Sequence, residues 1–212
     1  MTLRVTFLSP APGPALREAR FAGADDGEAG DGARPIDPAG ERRARAAASA
    51  VPDAGRHLSG PSQRCLRTAR ALGVRPVPEP VLHDWDMGRW RGRRLAEVSA
   101  GEPEGVAAWL GDPAAAPHGG ESLHGLLGRV GGWLDSLAGA DGASEGDGRV
   151  LVVAEPAVVR AAVVHAVALP PAAFWRLDVA PLSLVALTGR AGRWNLTLGA
   201  PLPGSGGAAA RA

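Results

Sequence analysis

The chain has no lysine and no tyrosine, a single cysteine, and no apolar run long enough to span a membrane. Each shortage excludes something. With Cys65 alone no intrachain disulfide can form, which fits a reducing compartment. The longest apolar stretch, "RVLVVAEPAVVRAAVVHAVALP", is interrupted by Glu155, Arg160 and His165. It falls short of the roughly 20 apolar residues that a spanning helix needs. The opening "MTLRVTFLSPAPG" shows no charged region followed by a long apolar one, so no secretory leader is expected. The expectation is a cytoplasmic protein with no membrane contact. The missing lysines put all 23 positive charges on arginine, against 22 carboxylates and a formal net charge of +1. Beside so much Ala, Gly and Pro this reads as compositional bias. A balance so close to neutral gives no general case for a nucleic-acid partner.

What is present suits one globular domain. At 212 residues and 45% apolar content, the chain can bury its own core. "LRVTFL" (3–8) reads as a first strand, bounded by a Pro/Gly cluster whose prolines bar a helix before Ala15. The Gly/Asp-rich residues 22–34 form a flexible loop by composition. A helix follows from about Pro38, with Asp37 as its N-cap. "RHLSG" is a short strand, and "PSQRCLRTARALG" a helix with Pro61 in its first turn and Gly73 at its end. "PVPEPVLHDWDMGRWRG" reads as irregular, "RRLAEVSA" and "EPEGVAAWLGDP" as short helices, and "ADGASEGDG" as a flexible link. Apolar residues at 123, 126, 127, 130, 133, 134 and 137 mark a longer helix. "RVLVVAE" is a buried strand, "PAVVRAAVVHAVAL" the helix after it, and "SLVALTG" and "WNLTLG" a closing pair of strands. The domain spans 1–198, and 199–212 is a disordered tail.

Strands alternating with helices imply a mostly parallel sheet, with ligands at the strands' carboxyl ends. Those ends are Ser9-Pro10, Ser59-Gly60 and Glu155-Pro156. A carboxylate closing "VLVVA" is therefore a site residue on architectural grounds.

Several stretches, in order, resemble the histidine phosphatase superfamily, the phosphoglycerate-mutase-like proteins. They are "SGPSQRCLRTARALG", "LHDWDMGRWRGRRLAEV", "PHGGESLHGLLGRVGGWL", "RVLVVAEPAVVRAAV" and "FWRLDVAPLSLVAL". The resemblance implies a three-layer α/β/α sandwich around a mostly parallel sheet. It also implies phosphoryl transfer to a neutral histidine, held in place by two arginines and a second histidine, with a carboxylic acid protonating the leaving oxygen. On this chain Ser9 stands at the first arginine's position, Pro10 at the nucleophilic histidine's and Ala11 at the glycine's. Arg64 is the second arginine, Asp84 the acid, and Glu155 occupies the second histidine's position.

Proline has no nucleophilic side chain, and losing the nucleophile of a covalent mechanism costs roughly 10⁶-fold in rate. An ionised Glu155 would repel a phosphoryl oxygen about 4 Å away by about 4 kcal/mol. The reading is a degenerate member with a binding or scaffolding role and no phosphohistidine chemistry, Arg64 and Glu155 pairing in the former pocket. The alternative is a phosphomonoesterase or mutase-like enzyme with relocated groups, drawing on Arg64, Asp84, Glu121 and His57 or His83. Arg17 and Arg20 are candidates to restore the charge lost at Ser9, although a solvated, paired helix explains them as well. No cofactor is expected; a Mg²⁺ held by Asp84, Glu121 and Glu155 is the weaker alternative. His118, His124 and His165 read as surface or packed histidines. Trp85 and Trp90 read as core, with a pocket wall as the other option, and Glu121 or Ser122 as a helix cap. The ligand would be small and polar or phosphorylated, and a homodimer is compatible with the sequence.

Overall fold

The computed structural model describes residues 2–22, 36–137, 148–190 and 192–198. The Gly/Asp loop beyond Ala22, almost all of the 140–148 link and the 199–212 tail lie outside the described residues. Six strands form one sheet: β1 (Leu3–Leu8), β2 (Arg56–Ser59), β3 (Val77–Pro78), β4 (Arg149–Val153), β5 (Leu184–Arg190) and β6 (Arg193–Thr197). Their spatial order is β3-β2-β4-β1-β5-β6. The first four run parallel, β5 is antiparallel to β1, and β6 is antiparallel to β5.

Helices cover both faces. They are α1 (Pro14–Arg17), α2 (Pro38–Ala46), α3 (Gln63–Ala71), α4 (Leu95–Gly101), α5 (Pro103–Gly111), α6 (Leu123–Leu137) and α7 (Pro156–Ala166). The strands alternate in burial partner, as a pleated chain must. Val5, Phe7, Val150 and Val152 pack with Leu126, Val130 and Trp133 of α6 and with Val158 and Ala162 of α7. Leu8, Leu151 and Val153 pack on the other face with Ala44 of α2 and with Cys65, Ala69 and Leu72 beside α3. The expected three-layer sandwich is thus observed. Among the described residues no helix is long and apolar enough to cross a membrane.

Three boundaries differ from the sequence reading. The stretch read as irregular contains β3, whose residues Val77 and Pro78 pair with Leu58 and Ser59. Proline lacks an N–H and is tolerated there because β3 is an edge strand. Helix α3 starts at Gln63, because the Ser62 hydroxyl accepts the Cys65 N–H at 3.1 Å and makes Ser62 the cap; Pro61 precedes the helix. Helix α1 begins at Pro14 itself, where a missing N–H costs nothing. The Asp37 cap of α2 is present, its carboxylate accepting the Gly40 N–H at 2.6 Å.

Candidate functional site

Sheet order decides what meets at the site. Strand β4 lies between β1 and β2, with Val153 level with Leu8 on one side and Ser59 on the other. The chain leaves β1 toward α2 and α3, and leaves β4 through α7 to reach β5 beyond β1. These opposite departures make the β1/β4 boundary the switch point where an α/β sheet opens a crevice. Ser9–Ala11 and Glu155 sit there, and α3 enters from β2.

Glu155 is buried, its side chain only 5% exposed. One carboxylate oxygen accepts from Arg64 Nη1 at 2.7 Å and the other from the Ser62 hydroxyl at 2.8 Å. Arg64 also donates from Nε to the Ala11 carbonyl at 2.9 Å. One turn further along α3, the Thr68 hydroxyl accepts the Ala11 N–H at 3.0 Å. Both backbone groups of Ala11 are therefore held by one face of α3. Ser9, Pro10 and Ala11 are all buried. The Ser9 hydroxyl and Arg64 Nη2 are buried with no hydrogen-bond partner among the described residues. The Cys65 thiol lies 3.7 Å from Glu155. Burial first, and then the Glu155 charge, raise its pKa well above the ordinary thiol value, so it is a packed thiol and no nucleophile.

Asp84 reaches this region because Gly60 lets the chain approach closely: a Cβ there would lie 2.7 Å from the Leu82 carbonyl oxygen. The Asp84 charge also acts on the Cys65 thiol, and one of its oxygens accepts the Trp85 N–H at 2.8 Å. The structure thus brings together Ser9, Pro10, Arg64 and Glu155, with Asp84 near enough for its charge to act on the neighbouring Cys65.

The remaining candidates are drawn elsewhere. Arg17 pairs with Asp37 at 2.5 Å, a carboxylate already engaged in capping α2. Arg20 pairs with Glu18 at 2.7 Å and donates to the Gly92 carbonyl. Neither replaces the charge missing at Ser9. Glu121 is gripped by Arg129, which donates to both its oxygens at 2.8 and 2.7 Å and also to the carbonyls of Val81 and His83. Arg129 therefore fastens α6 to the 81–83 segment, and Glu121 is taken up in holding it. Among the described residues no three of His, Cys, Asp and Glu gather around a cation position, so the Asp84–Glu121–Glu155 arrangement is not formed.

His57 is half-buried and pairs in register with Leu151, a pleat short of the strand end, on the α2–α3 side. His83 is exposed, its Nδ1 2.7 Å from the Asp84 carbonyl oxygen. His118 is buried against Trp90, its Nδ1 accepting the Gly120 N–H at 3.0 Å. Burial holds its pKa below the ordinary imidazole value. His124 is exposed, and His165 meets Asp135 at 2.9 Å, half-buried between α6 and α7. Ser122 caps α6 by accepting the Gly125 N–H at 3.1 Å. Trp85 and Trp90 are core: Trp85 packs against Trp109, Phe174 and Trp175, and Trp90 against Phe21 and Trp109. Sequence reasoning missed Ser62, Thr68 and Arg129. The i, i+4 spacing of Arg64 and Thr68 is the signal that would have found the α3 face.

An arginine that opens a helix at the carboxyl ends of parallel strands is placed as an anion ligand in an α/β fold, and here it holds the chain's own carboxylate. Residues 25–200 match the histidine phosphatase superfamily (branch 1), and the chain belongs to it. The matched range begins beyond Ser9–Ala11. A bifunctional protein of Mycobacterium tuberculosis is 39% identical over 77 residues, covering 34% of this chain and 21% of that protein. The aligned stretch thus spans about a fifth of that relative's length. A glucosyl-3-phosphoglycerate phosphatase of Mycolicibacterium vanbaalenii is 42% identical over 69 residues, 31% of each chain. A solved mycobacterial glucosyl-3-phosphoglycerate phosphatase complexed with VO3 superposes with a TM-score of 0.75 at 26% identity, covering 92% of this chain and 97% of its own.

Proposed function

We propose that this chain is a histidine-phosphatase fold whose phosphoryl pocket is filled by its own carboxylate, and that it works by binding and not by phosphohistidine chemistry. The observation that carries this reading is the buried Glu155, bonded at once to Arg64 and Ser62. The groups that would seize a phosphoryl oxygen are already seizing a carboxylate. A substrate dianion would have to displace that carboxylate or lie beside it, and the Coulomb cost at about 4 Å is about 4 kcal/mol, roughly a thousandfold in affinity. Pro10 offers no attacking atom at the end of β1, and among the described residues no histidine lies in the Arg64–Glu155 network. The buried Ser9 hydroxyl and Arg64 Nη2 remain as donors. They suit a small ligand that is polar or weakly anionic.

The second reading, a phosphomonoesterase with relocated groups, is favoured by the relatives, which include phosphatases. It would use Asp84 as the acid and an activated water in place of the histidine. One assay separates the two. Purified protein is tested against a panel of phosphomonoesters, with and without Mg²⁺, beside Arg64→Ala. The expected outcome is turnover no greater than that of the variant. Turnover that disappears in Arg64→Ala would overturn the binding reading.

A further inference from the structure

We propose that the groove between α2 and α3 is a second anion site, which takes a small phosphorylated molecule through Arg45, Arg67 and Arg70. It is separate from the strand-end crevice. A cavity of about 290 Å³ opens there, lined by Ile36, Glu41, Arg45, Arg67, Arg70 and Ala71. Its size suits a sugar phosphate or similar metabolite, at the small end of ligand pockets.

The charge distribution singles out this face. Residues 38–75 carry eight arginines against Glu41 and Asp53, in a chain whose formal net charge is only +1. Folding stacks α2 against α3, so arginines from two helices line one groove. The near-neutral total hid this concentration from the sequence reading.

Inside the groove the pairing is incomplete. Among the described residues Glu41 is the only carboxylate lining it, and Arg45 already holds it at 2.5 Å. No carboxylate among the described residues pairs with Arg67 or Arg70. Both are exposed, three residues apart on α3, where like charges repel. The last-turn position of Arg70 accounts for that residue through the helix dipole, but not for three guanidinium groups around one cavity. Guanidinium forks match phosphate oxygens in shape and charge. Ile36 and Ala71 add apolar surface for the body of the ligand. A flat polyanion would spread over the outer arginines, whereas a half-open groove with an apolar portion favours a small molecule.

The test is calorimetric titration with inorganic pyrophosphate at fixed ionic strength, chloride serving as the reference anion. The expected result is saturable binding that weakens about tenfold or more in Arg67→Ala/Arg70→Ala, since hydrogen bonds to charged groups are lost. Glu41→Gln, which frees Arg45, should bind more tightly. Arg42→Ala/Arg43→Ala, which removes as much charge from outside the cavity lining, should bind like the parent chain. All the altered side chains reach solvent, and circular dichroism checks that each variant folds. Absence of saturable binding would overturn the proposal. So would an equal loss in both double variants, which would mean diffuse charge and no site.

Discussion

Glu155 is a single side chain that holds both Arg64 and Ser62 at the end of β4. Removing its charge leaves the Arg64 guanidinium largely buried with one partner fewer, and breaking a buried pair costs several kcal/mol. Glu155→Ala should lower stability by about 3 kcal/mol, at the low end of that range because Arg64 is 20% exposed. Glu155→Gln should cost less, since the amide oxygen still accepts from Ser62 or Arg64. Urea unfolding measures both. Phosphate or acetate should then raise the unfolding midpoint of Glu155→Ala by more than that of the parent chain, because an outside anion can occupy the place beside Arg64. A midpoint in the alanine variant that ignores these anions would show that Arg64 is not an available anion ligand once Glu155 is gone. The Arg64–Glu155 pair was legible in the sequence because both residues close or open an element at a known end of the sheet. The fates of Arg17 and Arg20 were not. A long flexible side chain goes to whichever carboxylate the fold brings near, and here these are Asp37 and Glu18.

Between elements, the α6–α7 contact shows what spacing alone conceals. Gly131 on α6 faces the imidazole of His165 on α7, and a Cβ there would come within 2.3 Å of Nδ1. That imidazole meets Asp135, which also accepts the Gly192 N–H and the Trp194 indole N–H. Burial pushes the Asp135 carboxyl up, but the bonds from Trp194, Gly192 and His165 outweigh it and hold it below the ordinary value. One aspartate thus ties α6 to α7 and β6. Gly131→Ala should destabilise the chain by about 1–3 kcal/mol through overpacking, read as a lower thermal midpoint. An unchanged midpoint would mean that the ring moves aside freely. The strands, the helices and the Asp37 cap were readable from periodicity and capping residues. The two-residue β3 was not, since such a short edge carries no alternation to detect.

Across the whole molecule, several carboxylates are held below their ordinary pKa by donors that only the fold supplies. Hydrogen bonds from Trp90 and Arg89, with a further one from Arg93, lower Glu102 from 4.5 to about 2. Asp86 is lowered chiefly by the Gly88 N–H, and Glu18 chiefly by Arg20. A carboxylate depressed in the folded state adds stability above its unfolded pKa and loses it as pH falls through the folded one. The Glu102 contribution should therefore be complete above pH 4.5 and vanish toward about pH 2. Thermal midpoints of the parent chain and Glu102→Gln, followed across that window, should differ most at neutral pH and converge on acidification. A gap that stays constant with pH would rule out this linkage.

The sequence by itself determined the layers and put a proline at position 10, just past the end of β1. Hydrophobic period fixes which face of an element is buried, and proline's chemistry does not depend on its surroundings. Tertiary structure alone gave Glu155 its second partner, Ser62, beside the expected Arg64. Its partners Ser62 and Arg64 lie more than 90 residues away in the chain and meet it because β4 inserts between β1 and β2. The same holds for the arginines of α2 and α3. They sum to almost nothing in the formal charge of the whole chain, yet they line one groove once two helices share a face of the sheet. Coulomb and hydrogen-bond energies depend on distance in space, and sequence separation does not supply it.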